Sequence, residues 1–311
     1  MTADTPKPAR IRMKIKKPAS ENAFNAVSLF FVLIFTFLCI YPLWYVLVGS
    51  MSSGVYAHSA YFWPKGFSLT TYSRFFARAD LGLAFLVSIS KTVVGTFLSV
   101  FFTSMLAYLV TQQKMYFRKF VYRYFIVTMY VSGGMIPWYI TMKTYGLFNN
   151  FYVYIIPGII SVFNMILVKT FIESLPPSLE ESAQLDGAGF FRIYLRIILP
   201  LITPIVATIA VYTAVGQWNS WVDNYILVNT KSLTTLQLLL YNYLNQASSL
   251  ATQMKNTVNA SSTATAASAF AVTPDSVRMT MIIISVVPIM LVYPFAQKYF
   301  TKGIMLGAIK G

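Results

Sequence analysis

Six apolar runs, each about as long as a bilayer is thick, constrain this chain more than any other feature. A spanning helix needs about 20 mostly apolar residues, because hydrocarbon offers no water to satisfy backbone donors and acceptors. The runs lie at about 24–49, 84–112, 120–142, 152–172, 195–218 and 279–300. Composition agrees with them. Hydrophobic residues make up 57% of the 311 and charged residues 11%, where a soluble domain carries roughly 25% charged. The predicted fold is an all-α polytopic membrane protein with six transmembrane helices. The first run is retained as a span, being too long for a signal-peptide core and followed by no clear cleavage site.

Charge gives the orientation. The 24 Lys and Arg against 9 Asp and Glu leave a formal +15. In a polytopic chain this reads as cytoplasmic loop bias and not as nucleic-acid binding. Lys7, Arg10, Arg12, Lys14, Lys16 and Lys17 precede the first run, and Lys114, Arg118, Lys119 and Arg123 fall between the second and third. Lys169, Arg192 and Arg196 flank the fourth connection, and Lys298, Lys302 and Lys310 follow the last run. Both termini are therefore expected in the cytoplasm. The organisation expected is a basic tail at 1–23, a membrane domain at 24–300 and a C-terminal tail at 301–311. Outer loops fall at 50–83 and 219–278, and a cytoplasmic loop at 173–196. The first outer loop carries Tyr61, Phe62, Trp63, Phe67 and Tyr72, rings that suit a membrane interface. The second is polar around Asn256, Thr257, Asn259 and Ser261 and reads as a flexible linker.

Chemistry for catalysis is absent. There is no phosphate-binding Gly-rich loop ending in Lys-Ser or Lys-Thr, so ATP is not bound by that route. His58 and Cys39 are the sole residues of their kinds and cannot build a soft-ligand metal site. The chain is expected to be no enzyme and to hold no cofactor or metal of its own.

Four of the nine acidic residues, Glu173, Glu180, Glu181 and Asp186, fall in the fourth connection. Pro176 and Pro177 stop the preceding span and suit the start of another helix. Ser178 and Glu181 have capping-box spacing, and Glu180 and Glu181 sit where the helix dipole favours negative charge. Gly187 and Gly189 end the helix. A short helix is thus expected over about 178–186, with Ser182 and Ala183 as a small-residue patch open to close approach.

The spacing there resembles a known family. Glu181-Ser182-Ala183, three residues, Gly187, nine residues, then Ile197, Leu199 and Pro200 is similar to the Glu-Ala-Ala loop of ABC-importer permeases, with Ser182 replacing one Ala. Asp186-Gly187-Ala188 resembles the carbohydrate-importer version. Gly216-Gln217-Trp218-Asn219-Ser220-Trp221 is similar to the Trp-Asn signature of sugar permeases. The tail bearing Lys302, Gly303, Gly307 and Lys310 looks like that of the maltose-permease G-subunit type. The resemblance implies a type I importer permease of a prokaryotic plasma membrane. Its partners would be a second homologous permease, two ATPase subunits and an extracellular or periplasmic solute-binding protein. ATP and Mg would sit on the ATPases. Glu180, Glu181, Ser182, Ala183, Asp186, Gly187 and Ala188 would couple to the ATPase, which Lys302, Gly303, Gly307 and Lys310 would also approach.

Polar groups within spans mark a possible substrate path, since they face a bundle interior or a cavity. Lys91, Asn164, Tyr212, Gln217, Trp218 and Asn219 are the candidates, with Thr213. Lys91 either snorkels to the outer interface or places a cation in the path, which would suit an acidic sugar. Asn164 either binds a neighbouring helix or lines the path, and Gln217 and Asn219 either cap backbone or line it. Trp218 offers a face for a sugar ring. Pro200, Pro204, Pro288 and Pro294 are expected to kink the last two spans.

The function expected is ATP-driven import of an oligosaccharide by alternating access. A permease for another solute is the alternative. A proton-coupled carrier fits less well, because no acidic residue lies mid-span. Glu181→Lys is expected to reduce ATPase association and transport while leaving membrane insertion intact, which co-purification with the ATPase and vesicle uptake would measure.

Overall fold

A computed structural model of the chain describes residues 19–258 and 273–308. Among these residues the regular structure is helical, with one isolated bridge between Ser52 and Phe67. In chain order the α-helices are α1 (Ala19–Ser50), α2 (Thr70–Phe76), α3 (Leu81–Thr111), α4 (Arg118–Tyr130), α5 (Met135–Thr144), α6 (Val162–Glu173) and α7 (Ser178–Leu185). They continue as α8 (Phe190–Ile193), α9 (Leu199–Leu201), α10 (Thr203–Asn219), α11 (Val222–Leu227), α12 (Leu236–Val258) and α13 (Pro274–Ala308).

The centre of the bundle is α3, packed against α6, α10 and α12. Its buried residues include Ala84, Ser88, Lys91, Gly95, Ser99, Thr103 and Ala107. They recur every three or four positions and so form one stripe of the helix. All but Lys91 are small, which lets neighbouring backbones approach closely. The hydroxyls on α3 also hold other elements. Ser88 Oγ accepts from the Leu236 N–H at 2.8 Å and Thr103 Oγ1 from the Ser161 N–H at 3.1 Å. Ser104 and Tyr194 join hydroxyls at 2.8 Å. An apolar cluster around Tyr108, Met165, Ile193 and Tyr194 lies beside α7, and a second gathers Phe75, Leu81, Trp218, Leu236 and Met281.

Among the described residues, three helices are long and apolar enough to cross a membrane, or up to five if each of two bent pairs is one span. The first bent pair joins Phe151–Gly158 to Val162–Glu173 at 45°. The second joins Phe190–Leu201 to α10 at 84°, a sharp kink at the expected Pro200 and Pro204. The third expected span, 120–142, is not one helix. It divides into α4 and α5 around extended backbone at Val131 and Gly134 at φ +83°. Two glycines, one of them at a positive φ that favours glycine, interrupt what a hydropathy window reads as continuous.

Other boundaries move as well. α1 begins at Ala19, inside the expected tail, and residues 1–18 lie outside the described residues. α12 covers much of the second outer loop, so Asn256 and Thr257 are helical, whereas Asn259 and Ser261 lie outside the described residues. α13 runs past Pro288 and Pro294 and through Lys302, Gly303 and Gly307. The expected tail is therefore largely helix to Ala308, and Lys310 lies outside the described residues.

α1 buries none of its most apolar stretch within this chain. It rests on α13 near Gly49, where a Cβ would collide with Met279 Sδ. Gly49→Val is expected to destabilise the bundle by about 1–3 kcal/mol through overpacking, seen as a lower unfolding midpoint of the detergent-solubilised protein.

Candidate functional site

Two regions carry the candidate residues, and α3 touches both. The first is α7. Its start differs from the capping box expected at Ser178. Pro177 occupies the cap position in helical conformation, with no side-chain cap bond. The Pro176 carbonyl accepts from the Leu179 N–H, and the Pro177 carbonyl from the Glu180 and Glu181 N–H groups. Backbone carbonyls thus satisfy the donors that the Ser178 hydroxyl was expected to serve, because the prolines already hold helical φ. The far end follows expectation. Gly187 N–H donates to Gln184 O and Ala188 N–H to Ala183 O, with Gly187 at φ +76°. That pair of bonds is a Schellman stop, and the left-handed residue in it favours glycine.

α7 has two unlike faces. Inward, Glu180 Oε1 accepts from the Tyr108 hydroxyl at 3.0 Å and from Gln184 Nε2 at 3.4 Å. Lys114 Nζ donates to Gln184 Oε1 at 3.2 Å, Ala183 is buried, and Ala188 packs against the same cluster. The Tyr108 and Tyr194 rings stack at 5.6 Å, joining α7 to the segment after it. Outward, Glu181, Ser182, Asp186 and Gly187 are exposed. Leu185 lies between them, 89% exposed, and Leu179 is also exposed. Leu185, Leu179 and Tyr108 were not among the sequence candidates. The two leucines share the spacing of the small-residue patch at Ser182, a signal that could have found them. Tyr108 lies 72 positions from Glu180, and nothing local points to it.

The second region is an open cavity of about 320 Å³ between α3, α6, α10 and the segment 153–161. Asn164, Tyr212 and Gln217 line it, together with Ser99, Thr213 and Asp223. Asn164 also meets the neighbouring helix, its Nδ2 donating to Thr213 Oγ1 at 3.3 Å. Tyr212 is 60% exposed. Gln217 fits where Gly95 leaves space, a Cβ there lying 3.1 Å from the amide carbon. Nearly all the lining polar groups are hydroxyls and amides, and Asp223 is the one charged residue among them.

Lys91, Trp218 and Asn219 lie outside that lining. Lys91 does not snorkel: it is 1% exposed, and its Nζ donates to the Ser220 carbonyl at 2.8 Å. The ammonium also faces the Tyr154 ring at 5.0 Å. Trp218 is buried, with its indole N–H given to the Ser285 carbonyl at 3.1 Å and its ring edge-on to Phe85. That leaves no free face of the kind sugar stacking requires. Asn219 is exposed at the end of α10. Of the tail candidates, Lys302, Gly303 and Gly307 belong to the last turns of α13.

Known proteins resemble this chain over most of its length. No protein-family model matches the chain. The polygalacturonan/rhamnogalacturonan transport system permease protein YtcP of Bacillus subtilis is 32% identical over 293 residues, 94% of this chain and 99% of that protein. Protein LplC of the same organism is 33% identical over 277 residues, covering 88% and 90%. Among solved structures, a chain from a bacterial ABC transporter involved in import of the acidic polysaccharide alginate superposes with a TM-score of 0.76. It is 26% identical, over 92% of this chain and all of that one. Matched over about nine-tenths of its length in sequence and in fold, the chain belongs to the carbohydrate permeases of ABC importers and is a non-catalytic transport subunit.

Proposed function

We propose that this chain is one of two transmembrane subunits of an importer that moves an oligosaccharide through the plasma membrane of a prokaryote. In this reading six spans, two of them bent and one broken, place both termini and α7 in the cytoplasm, following the distribution of Lys and Arg. A second permease completes the central path, and two ATPase subunits bind ATP and Mg. A solute-binding protein delivers the sugar to the outer loops.

The observation that carries the reading is the division of α7. One face is fixed to α3 by Tyr108 and the buried Ala183, while the other turns Leu185, Ser182, Glu181 and Asp186 to solvent. An exposed leucine ringed by small and acidic residues fits a groove on a partner, and the spacing is that of the coupling loop. ATP-driven closure of the ATPases would move α7, and the Tyr108–Tyr194 stack would pass the movement to α10. Alternating access then follows as a switch between two packings of the bundle.

The cavity supports a hydroxyl-rich solute. Asn164, Thr213, Gln217 and Ser99 offer the donors and acceptors that sugar hydroxyls require, and the exposed Tyr212 ring offers an apolar C–H face a place to rest. Recognition of carboxylates, where the sugar is acidic, falls to groups other than Lys91, whose ammonium is already engaged.

Leu185→Asp is expected to fold and insert normally, since the side chain touches little in this chain. Its association with the ATPase should fall roughly tenfold or more, the loss of one buried leucine, read by co-purification from membranes. Unchanged association would remove α7 as the docking element. Gln217→Ala is expected to lower sugar uptake about three- to tenfold, one hydrogen bond's worth, while ATPase association stays intact. Uptake at the native rate would remove this cavity from the path.

A further inference from the structure

A second pocket, of about 680 Å³, opens beside the junction of α3 and α4, next to Lys114, whose Nζ reaches Gln184 of α7 and so places the pocket at the end of the bundle that carries α7. Gln113, Phe117, Arg118, Lys119, Phe120 and Arg123 line it. Among the described residues none of the three cations forms an ion pair. The sequence leaves them no local partner, since no Asp or Glu occurs anywhere in 81–172. Arg118 gives one N–H to the Thr111 carbonyl at 3.2 Å, which orients its guanidinium and leaves its other donors for a ligand. Lys119 and Arg123, one turn apart, are exposed. A concave site with three unneutralised cations suits a phosphate-bearing anion.

What lies next to the pocket selects the kind of anion. Phe117, held at φ +56°, is 81% exposed, and Phe120 is 69% exposed. From Phe120 an apolar row climbs α4 through Tyr124 and Val127, each 58% exposed, at positions i, i+4 and i+7. The Phe120 and Tyr124 rings stack at 6.5 Å. A soluble phosphate has no use for such a row. An acidic protein surface would match the cations and leave the row uncovered. An anionic phospholipid matches both, with a charged head and an apolar chain in the order the surface presents them. The pocket also begins where α3, a helix apolar and long enough to cross a membrane, ends at Thr111. That is the depth at which headgroups lie. We propose that this pocket binds the phosphodiester headgroup of an anionic phospholipid, with an acyl chain lying along Phe120, Tyr124 and Val127. The site stands apart from the transport cavity and does not depend on the identity of the solute.

The test uses the assembled importer, purified in detergent and equilibrated with equal amounts of phosphatidylglycerol and phosphatidylcholine. Native mass spectrometry counts the lipid retained. Phosphatidylglycerol should be retained in preference, and Lys119→Gln with Arg123→Gln should weaken that retention on the order of thirtyfold. Phe120→Ser with Tyr124→Ser keeps every charge and should also lower it, and this pair carries the test if the charge variant fails to assemble. Excess inorganic phosphate should leave the lipid in place. Equal retention of the two lipids, or phosphatidylglycerol retention untouched by both pairs of substitutions, would overturn the proposal. Displacement by phosphate with no effect of the aromatic pair would mean a soluble anion instead. Loss of a partner subunit with lipid retention unchanged would mean a protein contact instead.

Discussion

A lysine ammonium removed from water inside an apolar helix costs several kcal/mol unless oxygens or π-electrons replace its hydration. Lys91 obtains both, from the Ser220 carbonyl at 2.8 Å and the Tyr154 ring at 5.0 Å. The carbonyl is free because α10 ends one residue earlier, at Asn219. The corner from α10 to α11 is thereby tied to α3, and Asp223, on the new helix, takes a hydrogen bond from the Ser220 hydroxyl at 3.1 Å. Ser220 and Asp223 both line the cavity. Its wall is held from behind by a cation that does not itself reach the lumen. Ser88, one turn earlier on α3, holds the start of α12, so one stripe of α3 fixes the segments on both sides of α11.

Much of this was legible in the sequence, and what was not has physical reasons. The helix over 178–186 and its glycine stop were readable because prolines, acidic first-turn residues and glycine act through the local backbone. The cap was misjudged for the same reason. Ser178 has the right spacing, but two consecutive prolines begin the helix one residue earlier. Hydropathy marks apolar runs yet cannot see the break at Gly133 and Gly134, since a window average is blind to φ. Asn164, Tyr212 and Gln217 were identifiable as polar groups in apolar runs. Lys91 and Trp218 answered to the same criterion, but their partners, Ser220 and Ser285, lie 129 and 67 positions away. Whether a polar group faces a lumen or a distant carbonyl is a tertiary property.

Exposure on this chain is uneven in a way that suits a subunit. α1 leaves Phe30, Phe31 and Phe35 uncovered, and α4 and α5 leave Tyr130, Met135 and Ile136 uncovered. Single apolar side chains on a soluble surface need no explanation, whereas whole helix faces do. Within a membrane such faces meet lipid or another transmembrane chain at no hydrophobic cost.

The 84° bend before α10 sets a direction as well as a shape. Its short arm, Phe190–Leu201, contains a turn with wider π-type spacing at Tyr194–Ile198, and Tyr194 is the ring stacked on Tyr108. At nearly a right angle, a displacement along the short arm has almost no component along α10 and is delivered almost wholly sideways. Tyr212, Thr213 and Gln217 ride on that longer arm. A thrust along the short arm would therefore reach these cavity residues nearly square to the axis of the helix that carries them.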